Sequence, residues 1–409
     1  MEARLLRNME NQLQLKEFKL HSLLEVTNAI NMNKDVLDLT RLFEFIVREQ
    51  LGYDKFILFH KQEEWNCLLR VGVKTKVRKF DVDAELGRFR DITVIESSHS
   101  KLLSDFDVIV PVLHKGEALA FLLIKGIEYD GHLNKQISYM SFIQTLANII
   151  VVAIENKRMA RVNIKQERLK KELEVASAMQ QLLFPSSLPT NKRMDISAMY
   201  KSRHEVGGDY YDFIPLGDDE YIICIADVSG KGISAAMLMA NFQATLRTMF
   251  QYREFNMEEL LFELNENVMS SAKGEKFITF FIAHYDANSR KMSYVNAGHN
   301  HPFLTDGRNF TPLDKGTIGL GMLDELPFLD IGEAELGPNT TLVLYTDGVV
   351  ELENEEEEFF GSDRLKKLIK SYYPLSMGDM NSLIFSKLDE WKGPLDLVDD
   401  TAIFSCRFF

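Results

Sequence analysis

Four aspartate sites in the second half of the sequence lie where apolar runs meet glycines or turns. Asp227 ends an apolar run and precedes two nearby glycines, Asp209 follows a Gly-Gly pair, and Asp347 precedes another glycine. The pair Asp399-Asp400 comes just before the last apolar run. Such runs are typical of buried strands, so each acid is predicted at a strand end. A single Asp of this kind would be interpreted as a turn residue, but four in one region favour a shared site.

Carboxylate oxygens grouped in this way are the ligands that hard divalent cations prefer. Asp227 is predicted to bridge two metal ions, with the backbone carbonyl of Val228 as a further ligand. Asp209 would serve one ion, while Asp347 and Asp399 would serve the other. Two ions arranged like this activate a water molecule and bind phosphoryl oxygens. The predicted chemistry is hydrolysis of a phosphomonoester without a covalent phosphoenzyme.

The region that carries these acids is predicted to contain many short strands and a few helices. Connections of hairpin length argue for packed antiparallel sheets with helices outside. The predicted strands lie near Met194–Tyr200, Tyr221–Ala226, Phe277–Tyr285, Lys291–Asn296, His301–Leu304, Thr340–Tyr345 and Thr401–Cys406. The predicted helices are Ile233–Phe250, Met257–Ser271, Ser362–Tyr372 and Asn381–Trp391.

The first part of the chain predicts a smaller α+β domain. Helical spacing extends from Met1 to about Gln50 and returns from Lys135 onward. Helices around a mostly antiparallel sheet suggest a small sensory domain. The strand-like runs between them are Phe56–Phe59, Cys67–Leu69, Val108–Val112 and Leu119–Ile124.

The stretch from Asn156 to about Leu183 is predicted to be a coiled coil, because its apolar residues alternate spacings of three and four. Gln166 and Gln180 are predicted to be polar seam positions, and Pro185 ends the helix. The alternative is one long helix lying across its own domain. We favour a parallel pair from two chains, and therefore a homodimer, because the opposite face is strongly charged. The seam positions are Met159, Val162, Gln166, Leu169, Leu173, Ala176, Gln180 and Leu183.

Composition argues against several classes of protein. The 409-residue chain has a net charge of −14, which disfavours a nucleic-acid surface and with it a two-metal nuclease. Three widely spaced cysteines form no disulfide or metal pattern. We find no signal sequence and expect no apolar run long enough to span a bilayer. The chain is therefore expected to be cytoplasmic, with no membrane partner.

Isolated cysteines and histidines in the first domain are predicted to be structural. Cys67 lies in an apolar run and is expected in the core. His60, His99, His114 and His132 lack metal-ligand spacing and are expected at the surface. In the second domain, Gly-Lys-Gly around Lys231 is not a phosphate-binding P-loop, because the required first glycine and following Ser or Thr are missing. Lys231 is instead expected beside the acids, where it could contact phosphate.

The order of elements in the first domain resembles a GAF domain. The clearest match runs from Ile109–Val112 through Gly116 to Leu122–Gly126, with Ala120 where a glycine is usual. The resemblance implies a regulatory module that could bind a small-molecule ligand.

Four motifs in the second domain resemble the SpoIIE/RsbU branch of the metal-dependent PP2C-like (PPM) phosphatases. They are Arg203–Asp212, Ala226–Gly232, Asn296–Asn300 and Tyr345–Val349, in matching order and spacing. The resemblance extends to the Gln-rich helix end at Ala176–Pro189. It implies dependence on Mn²⁺ or Mg²⁺, two ions per active site. It also implies phosphoserine or phosphothreonine protein substrates, often STAS-domain anti-sigma-factor antagonists.

The resemblance also implies site residues. The last motif of the family has Asp-Asp, one free residue and Thr, whereas Asp399-Asp400 is followed directly by Thr401. Aligning the acids makes Asp399 the ligand, with Asp400 as the alternative. His299 could be a structural turn histidine, which we favour, or a donor on the substrate side. The implied metal ligands are Asp209, Asp227, the Val228 carbonyl, Asp347 and Asp399 or Asp400.

Together these predictions describe an α+β protein with four parts. They are an N-terminal helix (1–22), a GAF-like sensory domain (23–155), a coiled-coil linker helix (156–185) and a PP2C-like β-sandwich flanked by helices (186–409). The predicted function is a serine/threonine phosphatase regulated by the GAF-like domain through the linker. The alternative is a catalytically silent dimeric signalling scaffold, which would not need four intact acids.

Overall fold

The computed structural model describes residues 2–74, 77, 80–95, 100–114, 116–126, 133–252 and 255–409. The chain divides into two compact units, Met1–Glu167 and Arg168–Phe409. His99 and His132, two of the predicted surface histidines, lie outside the described residues. Helices and sheets are mixed in both units, as the sequence predicts.

The first unit contains one antiparallel sheet with strand order β2-β1-β5-β4-β3. The helix α2 continues into a π-helical turn, Ile46–Gln50, and a 3₁₀ turn covers Leu103–Asp105. The strands are β1 (Lys55–Lys61), β2 (Trp65–Val71), β3 (Thr93–Val94), β4 (Val108–His114) and β5 (Glu117–Lys125). The helices are α1 (Glu2–Asn31), α2 (Val36–Phe45), α3 (Val82–Leu86) and α4 (Leu133–Gln181), the last of which continues into the second unit.

Both faces of this sheet are covered, because side chains alternate along each strand. Phe56 and Leu58 of β1 join the core cluster that includes α2 and α4, while Ile57 and Phe59 join a second cluster on the other face. Two expectations are wrong here. His60 is buried, with Nε2 3.5 Å from Glu155 of α4, because it lies on the interior strand β1 opposite the buried Ala120 of β5. Cys67 is exposed because its strand, β2, is an edge strand.

Part of α4 is long and apolar enough to cross a membrane, by length and composition alone. This differs from the sequence expectation that no segment would reach that length. Within the most apolar window, 44% of the residues are buried, and Ile143, Leu146 and Ile150 belong to the core of the first unit. A core helix passes the same test of length and hydropathy, so the segment carries little weight as a membrane span.

The second unit is built on two packed antiparallel-rich sheets. The larger sheet has the order β13-β10-β9-β8-β7, with β14 also paired to β10, and the smaller has the order β12-β11-β15-β16-β6. The strands are β6 (Met194–Lys201), β7 (Tyr210–Pro215), β8 (Glu220–Val228), β9 (Ile278–Asp286), β10 (Lys291–Ala297), β11 (Phe303–Thr305), β12 (Phe310–Pro312), β13 (Gly316–Thr317), β14 (Gly332–Glu335), β15 (Thr340–Tyr345) and β16 (Thr401–Phe408). The helices are α5 (Ile233–Tyr252), α6 (Met257–Ala272), α7 (Asp347–Val350), α8 (Ser362–Tyr372) and α9 (Met377–Lys392).

These elements form four layers around three core clusters. On β8, Ile223 and Ile225 face the smaller sheet, while Ile222 and Cys224 face α5 and α6. The outer face of the smaller sheet packs on α8 and α9 in the same way. The result is a β-sandwich with helices on both outer faces, as predicted. Strand ends from both sheets can therefore meet at one rim.

The C-terminal end of α4 packs on its own second unit. Leu183 and Phe184 pack against the core beneath α5, and the Phe184 ring contacts the rings of Tyr200 and Tyr211. Gln180 is buried and bonds to Gly207 of the same chain. The prediction that Gln180 is a seam position is therefore wrong, because this turn of the helix packs against the second unit of its own chain and not against a second helix. Upstream seam residues Met159, Val162 and Leu169 are 53%, 44% and 54% exposed, so they are available for pairing.

Candidate active site

Asp209 and Asp227 lie side by side at one edge of the larger sheet. Asp209 immediately precedes β7, and Asp227 is the penultimate residue of β8. In the antiparallel register Tyr210 pairs with Ala226, so the next position brings Asp209 opposite Asp227. The carbonyl oxygen of Val228 lies next to this loop, because a Cβ added to Gly208 would lie 3.1 Å from it. The larger sheet therefore supplies two carboxylates and one backbone oxygen.

Asp347 and the Asp399-Asp400 pair occupy the matching edge of the smaller sheet. Asp347 begins α7 directly after β15, and Asp400 immediately precedes β16. Thr346 joins the two segments, since its amide donates to the carbonyl of Ala402 and its hydroxyl accepts from the Ala402 amide at 2.9 Å. A Cβ on Gly348 would overlap the carbonyl of Asp400, so only glycine allows this close approach.

The two edges face each other, because the amide of Gly208, next to Asp209, donates to the Asp400 carboxylate at 2.7 Å. Burial, followed by the charges of Asp347 and Asp399, raises the pKa of Asp227 to about 7. Burial and the charge of Asp399 likewise raise the pKa of Asp347 to about 6. The pKa of Asp209 is raised well above its usual range by burial and by Asp227. The carboxylates of both sheets thus form one patch of concentrated negative charge.

Asp399 and Asp400 have different surroundings. Asp400 is 9% exposed, and its oxygens accept hydrogen bonds from the amides of Arg203 at 2.8 Å and Gly208 at 2.7 Å. The Asp399 carboxylate instead lies 2.7 Å from the Nζ of Lys231, which also donates to the carbonyl of Val398. Lys231 is therefore beside the acids, as predicted. Asp400 supports a loop, whereas Asp399 pairs with Lys231.

His299 lies in the interior behind the acids. It is 4% exposed, its Nδ1 is 2.8 Å from the Thr279 hydroxyl, and its amide donates to Asn296. Burial lowers the pKa of His299 to about 4, so the imidazole is neutral near pH 7. These contacts favour the structural role over the role of a substrate-side donor.

The donor set fits hard divalent cations that retain several water ligands. In the part of the chain that the structure describes, no three His, Cys, Asp or Glu side chains are arranged so that they could hold one ion together. Mg²⁺ commonly binds through one or two carboxylates plus water, and each sheet edge offers such a pair. The Oδ2 atom of Asp209 is buried without a hydrogen-bond partner, which leaves it free for a cation. Carboxylates and carbonyl oxygens are also the preferred donors of Mg²⁺ and Mn²⁺.

Sequence reasoning missed two features of the site. Gln180 was assigned to the helix seam, although it bonds to the loop beside Asp209. Thr346 was treated as part of a motif, although it ties the Asp347 segment to β16. The sequence did offer one signal for the role of Gln180. This residue is so close to Pro185, which ends the helix, that a coiled-coil seam would already be ending there.

The different contacts of Asp399 and Asp400 give a prediction. Asp399→Asn should weaken Mn²⁺ binding by more than about a hundredfold, which is the upper range for residues that only orient ligands. Asp400→Asn keeps one acceptor oxygen but loses the match to two amides, so it should lower stability by about 1–3 kcal/mol and weaken Mn²⁺ binding less. Mn²⁺ titration and urea denaturation of both variants check this. A larger loss of affinity at Asp400 would move the ligand by one residue.

Comparison with known proteins shows what the part of the chain that carries this site is similar to. Residues 217–409 match the family model for Stage II sporulation protein E (SpoIIE). This region is a SpoIIE-type domain. The chain is 31% identical over 227 residues to the phosphoserine phosphatase RsbU of Bacillus subtilis, covering 54% of this chain and 66% of RsbU. It is 26% identical over 239 residues to the phosphoserine phosphatase RsbP of the same organism, covering 56% of each chain. The matches thus span about half to two thirds of these relatives.

A solved structure places the SpoIIE-type domain in a fold class. The SiaA-PP2C domain of Pseudomonas aeruginosa superposes with a TM-score of 0.54 at 22% identity, covering 60% of this chain and 99% of that domain. At this identity the likeness concerns the fold. The C-terminal part of the chain therefore has a PP2C-like fold, as the sequence resemblance implied.

Proposed function

We propose that this chain is a PPM-type serine/threonine protein phosphatase that depends on Mn²⁺ or Mg²⁺, with two ions per active site. The observation that carries the proposal is the meeting of two acid pairs, one from each sheet, at one rim of the SpoIIE-type domain, where the Gly208 amide beside Asp209 donates to Asp400. The names of RsbU and RsbP as phosphoserine phosphatases support the same reaction class. Release of phosphate from a phosphoserine peptide that requires added Mn²⁺ and stops with chelator would test it. Metal-independent release would contradict it.

The residues of the chain have distinct roles in this proposal. Asp209 and Asp227 with the Val228 carbonyl would hold one ion, Asp347 and Asp399 the other, and Asp227 would reach both. When bound, these ions supply Lewis-acid activation of a water molecule and charge neutralisation at phosphoryl oxygens. Lys231, 2.7 Å from Asp399, provides a further cation for the phosphate. The neutral, buried His299 keeps the turn after β10 in place.

The substrate we propose is a phosphorylated signalling protein, with a STAS-domain anti-sigma-factor antagonist as the leading candidate. The family resemblance supports this class, and the relatives RsbU and RsbP are phosphoserine phosphatases by name. The net charge of −14 argues for a protein rather than a nucleic-acid partner. We place the protein in the cytoplasm, in keeping with three widely spaced cysteines that form no disulfide pattern.

We propose that the first unit regulates the phosphatase as a GAF-like sensory domain (23–155), which could bind a small molecule. The five-stranded antiparallel sheet with covered faces supports this assignment. Within the predicted linker 156–185, the part before Gln180 would pair with a second copy as a coiled coil in a homodimer, whereas Gln180 to Phe184 pack on the second unit. The exposed apolar side chains on α4, including Val162 and Leu169, support pairing with a second copy. The phosphatase domain would then comprise residues 186–409.

Disrupting the proposed seam should dissociate the dimer. Leu169→Glu combined with Leu173→Glu places like charges between the paired helices, and burial of charge there is unfavourable. We expect monomers in sedimentation and altered phosphatase activity, with the metal ligands untouched. Ala178→Glu, which adds a carboxylate at an exposed position outside the seam, is the control. A surviving dimer, or a monomer with unchanged activity, would remove the seam from the mechanism.

A further inference from the structure

The last turn of α4 is attached to the loop that carries Asp209. Gln180 is 8% exposed, and its Nε2 donates to the carbonyl of Gly207 at 2.6 Å. Its Oε1 accepts from the amide of the same residue at 3.1 Å. One side-chain amide thus satisfies both backbone groups of Gly207. A side-chain amide has its donor and its acceptor side by side in one plane, which matches the N–H and C=O of a single residue, and the shorter Asn would not reach equally far.

The other side of the same loop is held by Asp400. Its carboxylate accepts from the amides of Arg203 and Gly208. A Cβ on Gly207 would overlap the Tyr200 hydroxyl and the Asp400 carboxylate, so the loop has no space to shift in that direction. The segment 203–208 is therefore held between the end of α4 and the start of β16, and the next residue is Asp209.

We propose that Gln180 is a positioning residue for the metal site, because it fixes the backbone that presents Asp209. This inference rests on the proposed function and adds a specific role for the end of α4. Residues that orient a ligand without touching the metal commonly change metal affinity tenfold to a hundredfold. A change in the position of the last turn of α4 would displace Gly207 and with it Asp209. Through this contact, a movement at the C-terminal end of α4 would change the affinity of the site for metal ions.

The test is Mn²⁺ binding by isothermal titration calorimetry on the full chain. Gln180→Leu and Gln180→Glu both lose the donor to the Gly207 carbonyl, so each should bind Mn²⁺ about tenfold more weakly. Turnover at saturating Mn²⁺ should recover to within about threefold, since the ligands themselves remain. Gln181→Leu, at the exposed neighbouring position, should match wild type.

Hydrogen exchange of the metal-free chain gives a readout that is independent of activity. The amides of residues 203–209 should exchange faster in Gln180→Glu than in wild type or Gln181→Leu, because the loop has lost one of its two supports. Unchanged Mn²⁺ affinity in whichever variant is folded would overturn the proposal. Loss of folding in both variants would also overturn it, because support of one loop should not decide global folding. Failure of wild type itself to bind Mn²⁺ would instead contradict the proposed function.

Discussion

Asp227→Asn should lower the turnover of a small aryl phosphate by about a hundredfold or more, which corresponds to about 2.7 kcal/mol or more of activation free energy. Asp227 is on β8, an interior strand of the larger sheet, and its carboxyl lies within the electrostatic influence of Asp347 and Asp399 of the other sheet. Its loss would disturb both proposed ions, and with them water activation and phosphate positioning. The measurement is kcat against Mn²⁺ concentration, with chelator as the zero point. Asp218→Asn, in the exposed turn at the opposite end of the same hairpin, is the control.

Stability separates a chemical role of Asp227 from a structural one. The pKa of its carboxyl is about 7 in the folded protein and about 3.9 in an unfolded chain. The stability that it contributes is present below pH 3.9 and is lost as the pH rises through about 7. Metal-free Asp227→Asn should therefore be at least as stable as wild type at pH 8. If wild type is active, a folded variant with near wild-type turnover would contradict the two-metal assignment. If wild type itself has no turnover, the result would favour the silent scaffold.

Arg247→Met should destabilise the second unit by about 3 kcal/mol, the lower end of the range for breaking a buried ion pair. Asp212 on β7 is fully buried and accepts from Arg247 at 2.7 and 2.8 Å, and the Tyr210 hydroxyl also donates to it. Without the guanidinium, the carboxylate would be left buried beside a single neutral hydroxyl and the Phe213 amide. We use the lower end of the range because Arg247 is 45% exposed.

Tryptophan fluorescence can follow this effect in the second unit alone. The chain has two tryptophans, and Trp391 bonds to Leu352 within the second unit. In a Trp65→Phe background, urea denaturation would report Trp391 only. Lys201→Met, which removes an exposed pair with Asp389, should change stability by less than about 1 kcal/mol. If Arg247→Met and Lys201→Met lowered the free energy of unfolding equally, the buried pair would contribute no more to stability than the exposed pair.

The sequence predicted the sandwich well because its strands are apolar runs interrupted by clear turn residues. The apolar runs at β8, β15 and β16 are readily interpreted as strands, and the acids lie at the ends of these strands. The short strands β12, β13 and β14 were missed, since two to four residues give no periodicity. The strand β7 was treated only as part of a motif, because two acids flank and interrupt it.

Expectations about individual side chains were less successful, for physical reasons. A heptad pattern shows which face of a helix is apolar but not which chain covers it, so Gln180 was assigned to the wrong neighbour. An apolar run shows a strand but not its place in the sheet, and Cys67 is exposed because β2 is an edge strand. His60 is buried on a strand with both faces covered, which its local sequence does not indicate.

Anomalous diffraction from crystals of the Mn²⁺-activated protein would test the central claim most directly. The account predicts two manganese peaks at the rim between the sheets, one beside Asp209 and Asp227 and the other beside Asp347 and Asp399. Peaks elsewhere, or an empty rim in crystals of active protein, would contradict the assignment of this acid cluster as the catalytic metal centre.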